Sequence, residues 1–171
     1  MHLIAQTPRF VIREFKPEDE AAYLALFDDE QVTVHLPKRN RQENKQMFRD
    51  TLKDYVAGKV LGRWGMFNNG DDEFIGICLL RNYLEKEGQV EVGYVLGRKF
   101  WGRGIASEMA QIMVAYAFTH TAVPEIVGVT TLGNSGSQKV LEKAGLERQE
   151  NIFRDGERLA FFSLKRVNGS L

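Results

Sequence analysis

Two glycines flank an arginine in the stretch FWGRGIASEMAQ, residues 100–111, and an apolar pattern with helical spacing starts directly after them. Glycine permits positive φ angles and lets a ligand approach the backbone closely. A helix start exposes unpaired N–H groups and the positive end of the helix dipole. Arg98, Lys99 and Arg103 place three cations within six positions, with no acid among them. The pattern therefore predicts a turn that holds a phosphate group at a helix N-terminus.

Two common nucleotide motifs do not fit this turn. A dinucleotide-binding fold has Gly-x-Gly-x-x-Gly near its first strand, but Ser107 stands at the third glycine position here. A P-loop needs a Gly-Lys-Ser/Thr run after four spacer residues, and the sequence has none. The remaining interpretations are a phosphate of another kind of ligand, which the cations favour, and a plain strand-to-helix turn with solvated basic residues.

The elements that must position the turn follow from the hydrophobic periodicity. Strands are predicted at residues 7–15, 60–67, 74–82, 90–96, 125–132, about 146–153 and 158–166. Helices are predicted after Pro17 and over about 41–57, the second with Phe48, Leu52, Tyr55 and Val56 on one face. A third helix is predicted after the glycine turn, with Ile105, Met109, Ile112, Met113 and Tyr116 on one face. A fourth is predicted after a Ser135-x-x-Gln138 capping box, and it ends at Gly145.

The order of these elements predicts an α/β (α+β) fold. The β-α-β unit over residues 90–131 requires a right-handed crossover and a parallel strand pair. The meander over residues 60–96 and the final hairpin across residues 154–157 are antiparallel. We therefore expect a mixed, mostly antiparallel twisted sheet with helices on both faces.

Length and composition narrow the function classes. The 171 residues predict a single domain over 1–171. Because the formal net charge is zero, neither nucleic acid nor a membrane surface is an expected partner. Cys78 is the one cysteine and the N-terminus is too short and polar for a leader, so a cytoplasmic location is expected. The histidines His2, His35 and His120 are too scattered to predict a metal site.

The turn and several segments around it resemble the GNAT superfamily of N-acetyltransferases. The family motif Arg/Gln-x-x-Gly-x-Gly/Ala matches WGRGIA, residues 101–106, with Trp101 in the first place. EVGYVL, AlaSerGlu after the motif, NSGSQKVLEKAGL at 134–146 and TPRFVIREF at 7–15 resemble the RimJ/RimL-type branch that acetylates ribosomal-protein N-termini. The resemblance covers nearly the whole chain in the same order.

This resemblance implies acetyl-CoA as the co-substrate and no metal. The pyrophosphate is expected on the backbone N–H groups of Trp101, Gly102, Arg103, Gly104, Ile105 and Ala106. The pantetheine arm is expected to pair like an extra strand with Gly93, Tyr94 and Val95, and Asn134 and Ser137 would complete the cofactor site.

The resemblance also implies direct attack of an amine on acetyl-CoA, so Cys78 is not expected to be a nucleophile. Glu91 is the candidate base, directly or through water; an exposed sheet carboxylate and loss of the proton to bulk water are the alternatives. A backbone N–H near Tyr94 or Val95 would stabilise the oxyanion. Many family members have a tyrosine acid where this chain has Leu141. Ser137 is the candidate acid instead, unless it only caps the helix or contacts CoA.

The acceptor side is less defined by the sequence. His35, Trp64 and Tyr83 lie in segments expected to border the acceptor, although core packing explains the two aromatic residues equally. The predicted function is acetylation of a protein N-terminal α-amine or small primary amine. A polyamine or antibiotic acetyltransferase, and an acyl-CoA-binding sensor without turnover, are the alternatives. The sequence leaves open whether the chain forms a homodimer through its last two strands.

Overall fold

The computed structural model describes residues 2–167, which form two compact units. Within the described residues, the first unit holds 2–79 and 94–103, and the second holds 80–93 and 104–167. The strands are β1 Leu3–Gln6, β2 Phe10–Arg13, β3 Gly62–Asn68, β4 Phe74–Asn82, β5 Gln89–Leu96, β6 Glu125–Thr131, β7 Glu147–Arg148, β8 Ile152–Arg154 and β9 Glu157–Lys165. The helices are α1 Glu20–Phe27, α2 Glu30–Thr33, α3 Arg41–Val56, α4 Ile105–His120 and α5 Ser135–Lys143.

The first unit is built on an antiparallel sheet in which β2 lies between β1 and β3. Ile12 lies opposite Met66 across β2 and β3, and both side chains are fully buried. Phe15 continues this core by packing its ring edge-on against Tyr23 of α1, 5.5 Å away. Edge-to-face aromatic pairs add stabilisation beyond the area that they bury. The predicted core residues Phe10, Ile12 and Phe15 are all buried, but Arg13 is buried as well, so the strict alternation ends at Ile12.

Local signals account for the helices of this unit. Pro17 opens a 3₁₀ turn that leads into α1, as expected of a residue with a fixed φ and no N–H. The helix α3 begins at a capping box made by Asn40 and Glu43. The prediction that Val56 lies on the buried face of α3 is wrong, because Val56 is 91% exposed in the last turn.

The second unit carries the predicted parallel pair. Strands β5 and β6 run parallel, with Val90 opposite Ile126. Strand β9 then pairs antiparallel with β6, β7 and β8. Asp155 and Gly156 both have positive φ in the turn between β8 and β9, which is the conformation of a tight hairpin. The mixed, mostly antiparallel fold class is therefore confirmed.

Helices α4 and α5 pack on each other in this unit. Met109 and Met113 are fully buried on α4, as their spacing predicts. The predicted Ser135–Gln138 capping box is wrong: Asn134 is the N-cap of α5, and its side chain accepts from the N–H of Ser137. Across residues 2–167, the helices are all too short or too polar to cross a membrane.

Candidate active site

The glycine turn ends in a helix start that no side chain caps. Gly104 is the N-cap of α4, with φ 75° and ψ 4° in the left-handed region. The first backbone bond of the helix runs from the Glu108 N–H to the Gly104 carbonyl at 3.1 Å. The N–H groups of residues 105–107 therefore precede the helical ladder and point beyond the N-terminus. This arrangement can donate several hydrogen bonds to one anion.

Gly102 also has a positive φ, of 69°. A Cβ atom added there would meet no protein atom within 4 Å. The glycine is therefore required by backbone conformation and not by packing of the protein against it. Both predicted glycines of the turn have a positive φ, the conformation that favours glycine.

Two of the three predicted cations around the turn are paired with acids. Arg98 donates to a carboxylate oxygen of Asp29 at 2.6 Å, and this hydrogen bond lowers the pKa of Asp29. Lys99 pairs with Glu73. Arg103 lies with its guanidinium 5.8 Å from the ring centroid of Phe100 and has no ion pair within residues 2–167. Arg103 is thus the predicted cation whose charge stays uncompensated.

Two side chains of the first unit hold the backbone of the turn. The indole N–H of Trp101 donates to the Leu96 carbonyl at 2.9 Å, while 48% of the residue stays exposed. The guanidinium of Arg9 donates to the carbonyl of Arg103. Trp101 therefore braces the turn through its side chain, a role that the family motif did not indicate, and Arg9 was not among the predicted site residues.

Glu91 of β5 is buried and accepts from two arginines of the second unit. Arg81 donates to both of its oxygens at 3.0 and 3.1 Å, and Arg154 donates to one of them at 3.4 Å. Such pairing is the usual condition for a buried carboxylate. The predicted base therefore lies in an ion-pair network, and the alternative that it is an exposed sheet carboxylate is wrong.

Arg154 links this network to the turn after β4. It donates to Glu85 at 2.6 Å and lies 5.5 Å from the ring centroid of Tyr83. Burial opposes ionisation of Glu85, but the hydrogen bond from Arg154, a backbone hydrogen bond and the positive charges of Arg154 and Arg81 together lower the pKa of Glu85. Burial raises the pKa of Tyr83. Glu91, Tyr83 and Arg154 thus form one cluster.

A local feature, the hairpin between β4 and β5, accounts for one of these pairs. The N–H of Tyr83 donates to the Gln89 carbonyl at 2.9 Å across the hairpin. Arg81 and Glu91 each lie two residues further from the hairpin turn than Tyr83 and Gln89, so the register places them opposite each other. No comparable local signal leads to Arg154, which is 63 residues from Glu91.

The strand after Glu91 carries the predicted pantetheine contacts. Gly93, Tyr94 and Val95 are half-buried in β5. Glu91, Gly93 and Val95 lie on one face because side chains alternate along a strand.

At the start of α5, Asn134 and Ser137 are close neighbours because the Asn134 side chain caps the Ser137 N–H at 3.1 Å. The Ser137 hydroxyl makes no hydrogen bond within the described chain and is half-buried. Leu141 is buried, and its methyl carbon lies 2.5 Å from the position that a Cβ on Gly128 would take. The position that holds a tyrosine in many family members is therefore part of the core here.

The predicted acceptor residues occupy different surroundings. His35 is exposed in the loop between α2 and α3. Trp64 is 3% exposed in β3. Tyr83 is buried with its ring 5.7 Å from that of Phe161. Cys78 is buried, and burial raises the pKa of its thiol, which agrees with the expectation that it is not a nucleophile.

Comparison with known proteins adds a family match. A family described as Acetyltransferase (GNAT) domain matches residues 9–147. The uncharacterized N-acetyltransferase p20 of Bacillus licheniformis is 28% identical over 155 residues, which cover 89% of this chain and 86% of that protein.

Two solved structures share the fold. The ribosomal-protein-S5-alanine acetyltransferase from Vibrio fischeri superposes with a TM-score of 0.81 at 16% identity, covering 98% of both chains. RimL, a ribosomal L7/L12 alpha-N-protein acetyltransferase in complex with coenzyme A, superposes with a TM-score of 0.79 at 14% identity, covering 96% of this chain and 98% of that one.

Proposed function

The chain belongs to the GNAT acetyltransferase family, and we propose that it transfers the acetyl group of acetyl-CoA to the α-amine of a protein N-terminus. Family membership makes it an N-acetyltransferase, since its relatives are named as such. The observation that carries the proposed donor site is the start of α4, where a left-handed glycine leaves the first N–H groups uncapped.

The turn fits the pyrophosphate of the donor. We assign the pyrophosphate to the backbone N–H groups of residues 101–106, where Gly102 leaves the main chain open, the helix start at Gly104 has no side-chain cap and Arg103 adds a positive charge. The pantetheine arm is assigned to Gly93, Tyr94 and Val95 of β5, and Asn134 and Ser137 are assigned as further cofactor contacts. Acetyl-CoA, when bound, supplies an acyl group activated as a thioester.

The residues of the chain would act on the acceptor and on charge that develops during the transfer. A backbone N–H of Tyr94 or Val95 would hydrogen-bond to the carbonyl oxygen as it gains negative charge. The Ser137 hydroxyl is free to donate a proton to the departing thiolate. In this proposal the amine attacks directly and no acyl group is placed on Cys78.

Glu91 is proposed as the base, with a condition set by its ion pairs. Both oxygens accept from guanidinium groups, so withdrawal of one of those groups would leave an oxygen more open to the proton of the amine. The Arg81 side chain is 42% exposed, whereas that of Arg154 is 24% exposed. Arg81 is therefore the partner that lies closer to solvent.

A protein N-terminus is favoured as the acceptor by two observations. The segments 7–15 and 134–146 resemble the branch that acetylates ribosomal proteins, and the fold is shared with two enzymes named for ribosomal-protein acetylation. Of the three predicted acceptor residues, Tyr83 lies beside Arg154 in the cluster that contains Glu91. His35 and Trp64 stay predictions for acceptor contact.

The proposal is tested by measuring release of free CoA thiol from acetyl-CoA with a panel of acceptors. The panel contains peptides with free N-termini, the same peptides with blocked N-termini, polyamines and aminoglycosides. We expect thiol release with free N-terminal peptides only. Release of thiol with polyamines or aminoglycosides alone would show that the acceptor is a small amine and not a protein N-terminus. Binding of acetyl-CoA without thiol release on any amine would identify a sensor.

A further inference from the structure

We propose that Arg9 is a positioning residue for the turn that holds the donor pyrophosphate. Its guanidinium donates to the main-chain carbonyl of Arg103, 94 residues away in sequence. Both residues belong to the first unit. The inference rests on the proposed assignment of the pyrophosphate to residues 101–106, and it adds a residue outside the family motif that would set donor affinity.

Arg9 is held in place by its own local hydrogen bonds. The Thr7 hydroxyl oxygen accepts from the N–H of Arg9 at 3.1 Å and from that of Phe10 at 3.2 Å. The N–H of Asn69 donates to the Arg9 carbonyl at 3.1 Å, and the Asn69 side-chain amide donates to the Thr7 carbonyl at 2.5 Å. The turn between β1 and β2 is therefore fixed from two sides, and so is the backbone from which the Arg9 side chain extends.

The bond from Arg9 orients a peptide group of the anion-binding turn. A peptide unit is planar and trans, so its C=O and N–H point in opposite directions. Holding the carbonyl of Arg103 on the Arg9 side therefore directs the N–H of Gly104 to the opposite side. Gly104 has wide conformational freedom in solution, and its φ of 75° and ψ of 4° are retained only if its neighbours restrain it.

The bond is also of the stronger, charge-assisted kind, because the donor is a guanidinium. It brings the charge of Arg9 to a turn at which Arg98 and Lys99 are already paired with acids. Arg103 has no ion pair within residues 2–167. Two guanidinium groups thus serve the turn, Arg9 through the backbone and Arg103 through its own uncompensated charge.

The test separates effects on the nucleotide end of the donor, which contains the pyrophosphate, from effects on the pantetheine end. Binding of acetyl-CoA is measured by calorimetry, and binding of S-acetylpantetheine, which lacks the pyrophosphate, by NMR titration. The variants are Arg9→Met, which removes the donor and the charge, and Arg9→Lys, which keeps a cation and a donor. The control is Lys53→Met, which removes a cation from α3 whose side chain is 73% exposed.

We expect Arg9→Met to weaken acetyl-CoA binding about tenfold, as for the loss of one hydrogen bond to a charged group. Its affinity for S-acetylpantetheine should match that of the wild type, and Arg9→Lys should recover at least half of the loss on a logarithmic scale. Lys53→Met should leave both affinities unchanged. The melting temperature of every variant is recorded alongside, because a loss that follows unfolding would affect both donors.

Unchanged acetyl-CoA affinity in folded Arg9→Met would overturn the role of Arg9, as would an equal loss for both donors. Failure of the proposed function looks different. If the turn does not hold the pyrophosphate, the wild-type protein itself would bind acetyl-CoA no better than S-acetylpantetheine. That result would contradict the pyrophosphate assignment whatever the variants show.

Discussion

Replacing Gly104 by alanine tests whether the turn before α4 binds the donor through its main chain. Gly104 has a φ of 75°, and a residue with a Cβ in the left-handed region costs about 1–2 kcal/mol. For a chain of this length, that cost lowers the melting temperature by about 2–8 °C. The chain offers a matched control in Gly156, which has a φ of 78° in the hairpin between β8 and β9 and no atom within 4 Å of an added Cβ. Gly156→Ala therefore carries a similar left-handed backbone cost away from the glycine turn.

The two variants should differ in donor affinity. Relief of the strain at Gly104 rotates the neighbouring peptide groups, so at least one N–H no longer points at the pyrophosphate. A hydrogen bond to a charged group contributes about 1.5–3 kcal/mol, so the Kd for acetyl-CoA should rise about 10- to 100-fold in Gly104→Ala. The Kd of Gly156→Ala should stay within about twofold of the wild type, a difference well below 1 kcal/mol.

Calorimetric titration with acetyl-CoA, combined with thermal melts of both variants, measures the two effects separately. Equal melting temperatures and equal donor affinities of the two alanine variants would refute the reasoning, since the backbone strain would then be present without any consequence at the turn.

Three further changes test other parts of the site. Glu91→Gln should lower kcat/KM about 100-fold or more; an unchanged kcat/KM in the folded variant would make Glu91 a residue that only holds Arg154. In Arg154→Met, the lowered pKa of Glu85 should return toward its ordinary 4.5 in an NMR titration. Because that pKa is lowered in the folded chain, the wild type should exceed this variant in stability at neutral pH, and the excess should shrink in urea unfolding below about pH 4; a difference independent of pH would contradict the linkage. Leu141→Tyr should destabilise the chain by about 1–3 kcal/mol in urea unfolding, because Leu141 is packed against Gly128 and a larger ring overfills the core; a stable variant with a higher kcat would show that the position can still supply an acid.

The hydrophobic pattern predicts most of the fold because its signals are local. The bounds of β4 are reproduced at both ends, and the parallel pair β5–β6 follows from the length of the crossover. The missed elements are β1 and α2, which have four residues each, so neither is long enough to show a period. The single strand predicted over about 146–153 is divided into β7 and β8 in the structure. At Val56, the periodicity continues beyond the point at which the helix still faces the core.

The site was predictable where the chemistry lies in one short segment. The left-handed glycines of the turn follow from the spacing of two glycines before a helix. The partners that determine local charge are distant in sequence: Asp29 is 69 residues from Arg98 and Arg9 is 94 from Arg103. Ion pairs between distant surface segments leave no periodic signal, and for that reason the excess of positive charge at the turn was overestimated.

The position of the acetyl group on a reacted peptide tests the central claim most directly. The peptide carries a free N-terminal α-amine and an internal lysine, and it is incubated with the protein and acetyl-CoA before fragmentation by mass spectrometry. The account predicts one acetyl group on the α-amine, and none after the N-terminus has been blocked. Acetylation of the lysine side chain alone, or an unmodified peptide where a polyamine is acetylated under the same conditions, would contradict it.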